Sequence, residues 1–314
     1  MERYSRQEFV IGKKSQGLLS KSKVCIVGIG ALGTFSSELL ARAGVGCLKL
    51  VDRDIVELHN LQRQTLFSET DIGKPKALAA KKRLEEINSD IKIEAISEDI
   101  TADNIAMIKS DLVLDCTDNL STRFLINDYC IKNKIPWIYS AAIGTIGRVM
   151  AILPKSYCFR CHFKKAEGLD TCDTAGILNT TIAMTSSIQV SEAIKILISN
   201  KPSSGLISID STLPAISIFN VNKNHECKCC ALKQFEYLSV KNNDVVKFCG
   251  FGTYQVKGNF DFNVVKKKLH ALGKIMDFGS SFSSGRISVF NGRALIKAKD
   301  EKEAKTIYAK FIGN

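Results

Sequence analysis

The sequence holds no uninterrupted apolar run of about 18 residues, the least a membrane-spanning helix takes, so no membrane span is expected. The N-terminus, MERYSRQEF, is polar and charged, which excludes an apolar secretory leader. There are no internal repeats and no low-complexity segments. A secreted disulfide framework is also missing: the cysteines number 11, an odd count, in a chain without a leader. Metal binding or thiol chemistry is the better use for them, and the cytoplasm is the expected compartment. Acid is the scarcer charge, and unevenly so. The chain carries +12, of which residues 240–314 supply +8 from 14 Lys+Arg against 6 Asp+Glu. Such a basic C-terminal unit suits nucleic acid or an acidic protein, or is a solvated lysine-rich surface. At 314 residues and 45% hydrophobic content, the chain is long enough for one large domain and a small one.

What is present is organised around Val24 to Lys76. An apolar run, VCIVG, turns at once into Gly28-Ile29-Gly30-Ala31-Leu32-Gly33, and a second run, LKLVD, ends on Asp52. This is strand, glycine turn, helix, strand. The glycines permit a tight turn and let backbone approach a phosphate at a helix N-terminus. Asp52 stands 19 residues past Gly33, which suits an acid on a ribose hydroxyl. Taken alone, the pattern fits an NAD-linked oxidoreductase as well. Asn60, Arg63, Gln64, Lys74 and Lys76 then set cations and amides just beyond the ribose acid. An enzyme that breaks a triphosphate needs that charge, because negative charge builds on the leaving pyrophosphate.

Residues 2–22 predict one N-terminal helix. A helix from about Thr34 to Ala43 follows the glycine turn, with Gly44 ending it, and another covers 75–88. LVLD ends on Asp115, and Asp118 lies just past that strand, where open α/β sheets bind ligands. Asp118 is therefore the candidate magnesium ligand. It is also the candidate N-cap of a helix over Leu120–Lys132.

Cys158-Phe-Arg-Cys161 and Cys227-Lys-Cys-Cys230 are two C-x2-C knuckles whose four thiolates suit tetrahedral zinc. Cys229 and His162 are adjacent spares, and Cys229 is an alternative corner. Four thiolate corners leave no open position for catalysis, so such a metal would pin two distant segments. Lys164–Thr181, with Cys172 in its middle, predicts a polar loop. From 240 on, the pattern predicts a small α+β domain. Its helices are expected at Phe262–Leu272 and Glu301–Phe311, and a hairpin at Asn291-Gly292.

Taken together, RYSRQ (3–7), VGIGALGT (27–34), VDRDIVELHNLQRQTLF (51–67), DIGKPKA (71–77), LDCTDN (114–119), TCDTAGIL (171–178) and the Cys pairs resemble the ThiF/MoeB family. These are adenylating enzymes that activate ubiquitin-fold proteins. The resemblance covers about residues 3–235. It implies a Rossmann-like α/β adenylation domain with a mixed sheet over 1–239, plus the small α+β domain at 240–314. The implied substrates and cofactors are ATP, Mg²⁺, Zn²⁺ and a ubiquitin-fold carrier ending in Gly-Gly. The implied nucleotide site is Gly28, Gly30, Ala31, Gly33, Asp52, Asp54, Asn60, Arg63, Gln64, Lys76, Asp118 and Asn119. Arg63, Lys76 and Asp118 would serve the chemistry, and Arg6 would reach across a homodimer to the partner's ATP. Cys172 matches a position that in some members links to the activated carrier; a loop cysteine without a role stays open beside that. A sulfur donor or a tRNA-modifying partner would act downstream. Other readings are an inactive relative of the same fold and a cousin that adenylates a peptide amide or a tRNA base.

Overall fold

The computed structural model describes residues 3–163, 176–213, 215–240, 245–247, 252–279 and 281–313. The chain divides into two compact units, one of residues 1–72 and 76–240, the other of 241–314 with 73–75.

The first unit is built on eight strands. These are β1 (Lys23–Val27), β2 (Cys47–Val51), β3 (Lys92–Ile96), β4 (Leu112–Asp115), β5 (Trp137–Ile143), β6 (Ile146–Ile152), β7 (Leu206–Asp210) and β8 (Ala215–Phe219), in sheet order β3-β2-β1-β4-β5-β6-β7-β8. The β3-to-β5 half is parallel, and the pairs from β5 to β8 are antiparallel. Parallel strands are covered on both faces and so read as continuous apolar runs. Accordingly Val24, Cys25, Ile26 and Val27 are all buried. Val24, Ile26, Leu48 and Leu50 join one core cluster, while Cys25, Val27, Val113 and Trp137 join the other. Strand order reverses beside β1, with β2 on one side and β4 on the other. That is the crevice where such sheets take ligands.

The helices depart from expectation in instructive places. The N-terminal segment is two helices, α1 (Ser5–Ile11) and α2 (Lys13–Leu19), because Gly12 breaks them at φ 81°. The helix after the glycine turn, α3, begins at Ala31 and runs to Ala43, so it takes in Gly33; Gly44 ends it at φ 77°. Next come α4 (Lys76–Ile87), α5 (Leu120–Asn133) and the short α6 (Phe159–His162). The next helix, α7 (Asn179–Leu197), claims Asn179–Thr181 from the expected loop. Residues 164–175, and Cys172 with them, lie outside the described residues.

The second unit is an antiparallel sheet. Strands β9 (Val245–Lys247), β10 (Thr253–Lys257), β11 (Met276–Asp277), β12 (Ser281–Ser284), β13 (Ile287–Phe290) and β14 (Arg293–Lys297) stand in the order β11-β12-β13-β14-β10-β9. Helices α8 (Phe262–Leu272) and α9 (Glu301–Phe311) supply Val265, Leu269, Ala304 and Tyr308 to its core, against Tyr254, Phe282, Val289 and Ile296. Gly292 turns the β13–β14 hairpin at φ 72°. The short β11 and β12 carry no sequence pattern strong enough to announce them.

Candidate active site

The three glycines of the turn are required for three different reasons. Gly28 holds φ 88°, and a Cβ there would stand 2.7 Å from the Cys116 carbonyl oxygen. A Cβ on Gly33 would meet the Gly28 carbonyl oxygen at 1.9 Å, so this glycine lets α3 close onto β1. Gly30 has no such neighbour: its Cβ would find only Gln64 Nε2, at 3.9 Å. Space above Gly30 is therefore open at the start of α3, where the backbone N–H groups of Ala31, Leu32 and Gly33 precede the first intrahelical bond, Thr34 N–H to the Gly30 carbonyl at 3.0 Å. Gln64 is buried beside it, and its Oε1 has no hydrogen-bond partner among the described residues. Open space over a glycine and helix-start amides suit a phosphate, and an orphaned buried acceptor suits a hydroxyl or amine donor on the same nucleotide.

Asp52 closes the turn from the other side. One carboxylate oxygen accepts from the Ile29 N–H at 2.6 Å, the other from the Asp54 N–H at 2.7 Å. Burial pushes its pKa up to about 6, against the opposing pull of Lys76. Lys76 is itself buried, with Nζ 3.4 Å from an Asp54 oxygen. Burial works against its charge, but Asp54, Asp52 and Asp118 more than compensate and raise its pKa. Asp52, Asp54, Lys76 and Asp118 thus form one electrostatic group.

Arg63 donates to the His59 carbonyl at 2.9 Å and has no carboxylate partner among the described residues. The buried Asn60 turns its side chain inward: its Oδ1 accepts from Glu57 N–H at 3.1 Å, and its amide nitrogen lies 3.0 Å from His59 Nε2. Its visible work is to hold the segment that presents Arg63.

Asp118 is exposed, at the tip of the Cys116–Asn119 loop. The expectation that it caps α5 is not met. Asn119 is the cap, accepting from Thr122 N–H at 2.8 Å, so the Asp118 carboxylate is left for other use. Beneath the loop, Asp115 accepts from Thr117 N–H at 3.0 Å and from its hydroxyl at 2.6 Å. Arg123 Nε lies 3.3 Å from the fully buried Asp115, and the guanidinium also bonds the Thr117 carbonyl. Sequence reasoning missed Arg123, and missed Arg53, which pairs with Asp99 at 3.0 Å beside Asp52. An arginine within a helix's first turns, or next to a ribose acid, was the available signal.

Of the RYSRQ residues, Arg3 and Arg6 are exposed, and Arg6 makes no ion pair among the described residues. Gln7 donates to the Ala43 carbonyl at 2.9 Å, Arg3 pairs with Asp90 at 2.9 Å, and the Tyr4 hydroxyl accepts from Asn88 at 2.8 Å. These bonds hold α1 at the C-terminal end of α3, and a 13-residue helix is roughly 20 Å long. Arg6 therefore sits far from its own glycine turn.

The two cysteine knuckles come together. Sγ–Sγ distances are 3.6 Å for Cys158–Cys227, 3.9 Å for Cys158–Cys161 and 3.4 Å for Cys161–Cys230. All four sulfurs lie within 4.8 Å of one another. Zinc–sulfur bonds of about 2.3 Å in a tetrahedron put sulfurs about 3.8 Å apart, so the donor set fits. Cys229 stays outside that set of four, and its sulfur accepts from the Asn127 amide at 3.2 Å. Burial and the neighbouring Cys161 push the Cys230 thiol up to about 12, so without a cation beside it this thiol stays protonated.

Residues 4–229 match the ThiF family. The chain belongs to that family. Over 99% of its length and 99% of the relative's it is 37% identical to the sulfur carrier protein ThiS adenylyltransferase of Bacillus subtilis. It is also 37% identical to the molybdopterin-synthase adenylyltransferase of Escherichia coli, over 73% of this chain and 96% of that one. Among solved structures, E. coli MccB with MccA-N7isoASN superposes with a TM-score of 0.67 at 25% identity, covering 73% of this chain and 75% of that one. The likeness to the B. subtilis protein thus extends through residues 241–314, which lie beyond the ThiF match.

Proposed function

We propose that this ThiF-family chain is an adenylyltransferase that activates the C-terminal Gly-Gly carboxylate of a ubiquitin-fold sulfur carrier or modifier with ATP. The observation that carries the reading is the glycine turn. Open space over Gly30 stands next to Ile29, whose N–H bonds Asp52, and Lys76 is electrostatically coupled to Asp52 and Asp118, in a chain similar end to end to a ThiS adenylyltransferase. An NAD-linked oxidoreductase would have no use for Arg63 and Lys76 beside its ribose acid.

In the reaction, a carrier carboxylate oxygen attacks the α-phosphorus of ATP. The new bond is an acyl-phosphate anhydride, and the bond to the bridging oxygen breaks, so that pyrophosphate leaves with the electron pair. Asp52 holds the ribose while fixing the turn through Ile29. The amides at the start of α3, Arg63 and Lys76 stabilise charge on the phosphates, and Asn60 holds the turn before Arg63. Asp118, with Asp54 nearby, would hold magnesium, which supplies charge neutralisation on the triphosphate. Positioning and electrostatics suffice, so no general base is needed. Cys172 is the candidate thiol for a second step, in which sulfur attacks the acyl carbon and AMP leaves.

Arg6 is assigned to the partner subunit's phosphates in a homodimer. Its distance from its own turn supports this, as do Phe9 and Val10, 80% and 85% exposed on the same face of α1. Zinc in the cysteine cluster would tie residues 158–161 to 227–230. The thiol-rich chain suits the reducing cytoplasm.

The test is ATP–pyrophosphate exchange with Mg²⁺, run with and without small Gly-Gly-ending proteins and beside Asp118→Ala. Carrier-dependent exchange that disappears in the variant is expected. Exchange supported only by a peptide or by tRNA would move the assignment to another acceptor.

A further inference from the structure

Gln189 lies on α7, completely buried, among the apolar Ile182, Val190 and Ala193 that pack that helix against the sheet and α3. A leucine would pack there as well, yet the position holds an amide whose hydrogen-bonding groups are all engaged. Its oxygen accepts from the Ser36 hydroxyl at 2.7 Å and from the Cys116 thiol at 3.4 Å. Its nitrogen donates to the Asp115 carbonyl at 3.2 Å and to the Ile138 carbonyl at 3.4 Å. The Asp115 carbonyl takes a further bond from Ser140 Oγ at 2.8 Å.

These bonds join three segments. Ser36 is in the second turn of α3, whose first turn is the glycine turn. Asp115 and Cys116 are the root of the loop that carries Asp118. Ile138 is on the neighbouring strand. The two rims of the crevice, helix start on one side and carboxylate on the other, are thereby held through one side chain. A buried amide is costly to leave unsatisfied, so it fixes its neighbours' positions more sharply than an apolar contact does.

We infer that Gln189 is a positioning residue for adenylation, setting the distance between the glycine turn and the Asp118 loop. The inference rests on the adenylation reading above. A misplacement on the order of 1 Å between the two rims costs turnover on the order of a hundredfold when in-line attack must be aligned.

The experiment compares wild type, Gln189→Leu, Gln189→Glu and Ser36→Ala in carrier-dependent ATP–pyrophosphate exchange, with kcat and KM resolved and thermal melting recorded. Gln189→Leu is expected to melt cooperatively, to keep KM for ATP within about threefold, and to lose about tenfold or more in kcat. Gln189→Glu gives the signature that a packing role cannot. A buried carboxyl has a raised pKa, and its neutral form can again donate to Asp115. Its activity relative to wild type should therefore rise as the pH is lowered. Full kcat per folded Gln189→Leu molecule, or a Gln189→Glu ratio flat with pH, overturns the inference. If Gln189→Leu does not fold, Ser36→Ala decides: a kcat down about threefold upholds it and an unchanged kcat overturns it. A wild type inactive with every carrier removes the adenylation reading and this inference together, whereas an active wild type beside an unimpaired variant removes the inference alone.

Discussion

At the scale of single residues, the glycine turn separates architecture from ligand contact. Gly33→Ala would push a methyl into the Gly28 carbonyl, so it should destabilise the fold outright. Gly30→Ala meets nothing nearer than 3.9 Å and should fold with wild-type melting, yet bind ATP at least about tenfold more weakly in calorimetry. Asp118→Ala and Arg63→Ala should lower kcat for exchange by about a hundredfold or more, with carrier affinity changed little, because in the proposed reaction both act on charge that develops in the transition state. Asp52 sets a pH limit. Its pKa is raised to about 6, and the ribose role proposed for it calls for the carboxylate form. Nucleotide affinity should therefore be full above that value and fall as the pH drops through it. A KM for ATP that stays level from neutral pH down to 5 or so would remove Asp52 from the ribose. Gly30, Gly33, Asp52 and Arg63 stood out as candidates from spacing along one continuous stretch, and Asp118 from its place just past an apolar strand.

At the scale of elements, the loop between β4 and α5 shows what spacing does not reveal. LVLD followed by CTDN announced a strand, a turn and a helix, but left Asp118 with two roles. Asn119 takes the cap, and Asn119→Ala should cost about 1 kcal/mol in urea unfolding while leaving the Asp118 carboxylate in place. The buried Asp115–Arg123 pair supports the same loop. Burial raises the Asp115 pKa, and Arg123 opposes that shift. Removing the cation with Arg123→Met strands a buried carboxylate, and unfolding free energy should drop by about 3–5 kcal/mol. Asp115→Asn, which removes the charge in need of a partner, should do less harm than Arg123→Met. The break at Gly12 belongs to this scale too. A helical pattern runs across residues 2–22, and only the backbone angle at Gly12 divides it.

At the scale of the whole molecule, two predictions concern parts that meet from afar. Chelation of zinc should lower the melting temperature by several degrees, because the knuckles at 158–161 and 227–230 would lose their tie; stripped protein that melts like the native form would exclude a structural metal. Arg6 offers a test of assembly. Mixing Arg6→Ala with Asp118→Ala protein should restore activity, since a heterodimer carries one site with both residues intact. Random exchange of subunits in a twofold dimer puts about a quarter of all sites in that state. Mixtures as inactive as their parents would return Arg6 to the surface.

The amino-acid sequence by itself determined the parallel strands, the glycine turn, the acids and cations past it, and both cysteine knuckles. Each of these is written locally, as an apolar run, a steric requirement or a ligand spacing. It could not order the bonds between distant segments. That Gln189 reaches Ser36 and Asp115, that Arg123 backs the Asp118 loop, and that Tyr4 and Gln7 hold Arg6 away from its own turn follow only once the helices pack. Buried polar groups must find partners wherever the fold brings them, and a partner dozens of residues away leaves no periodic trace along the chain.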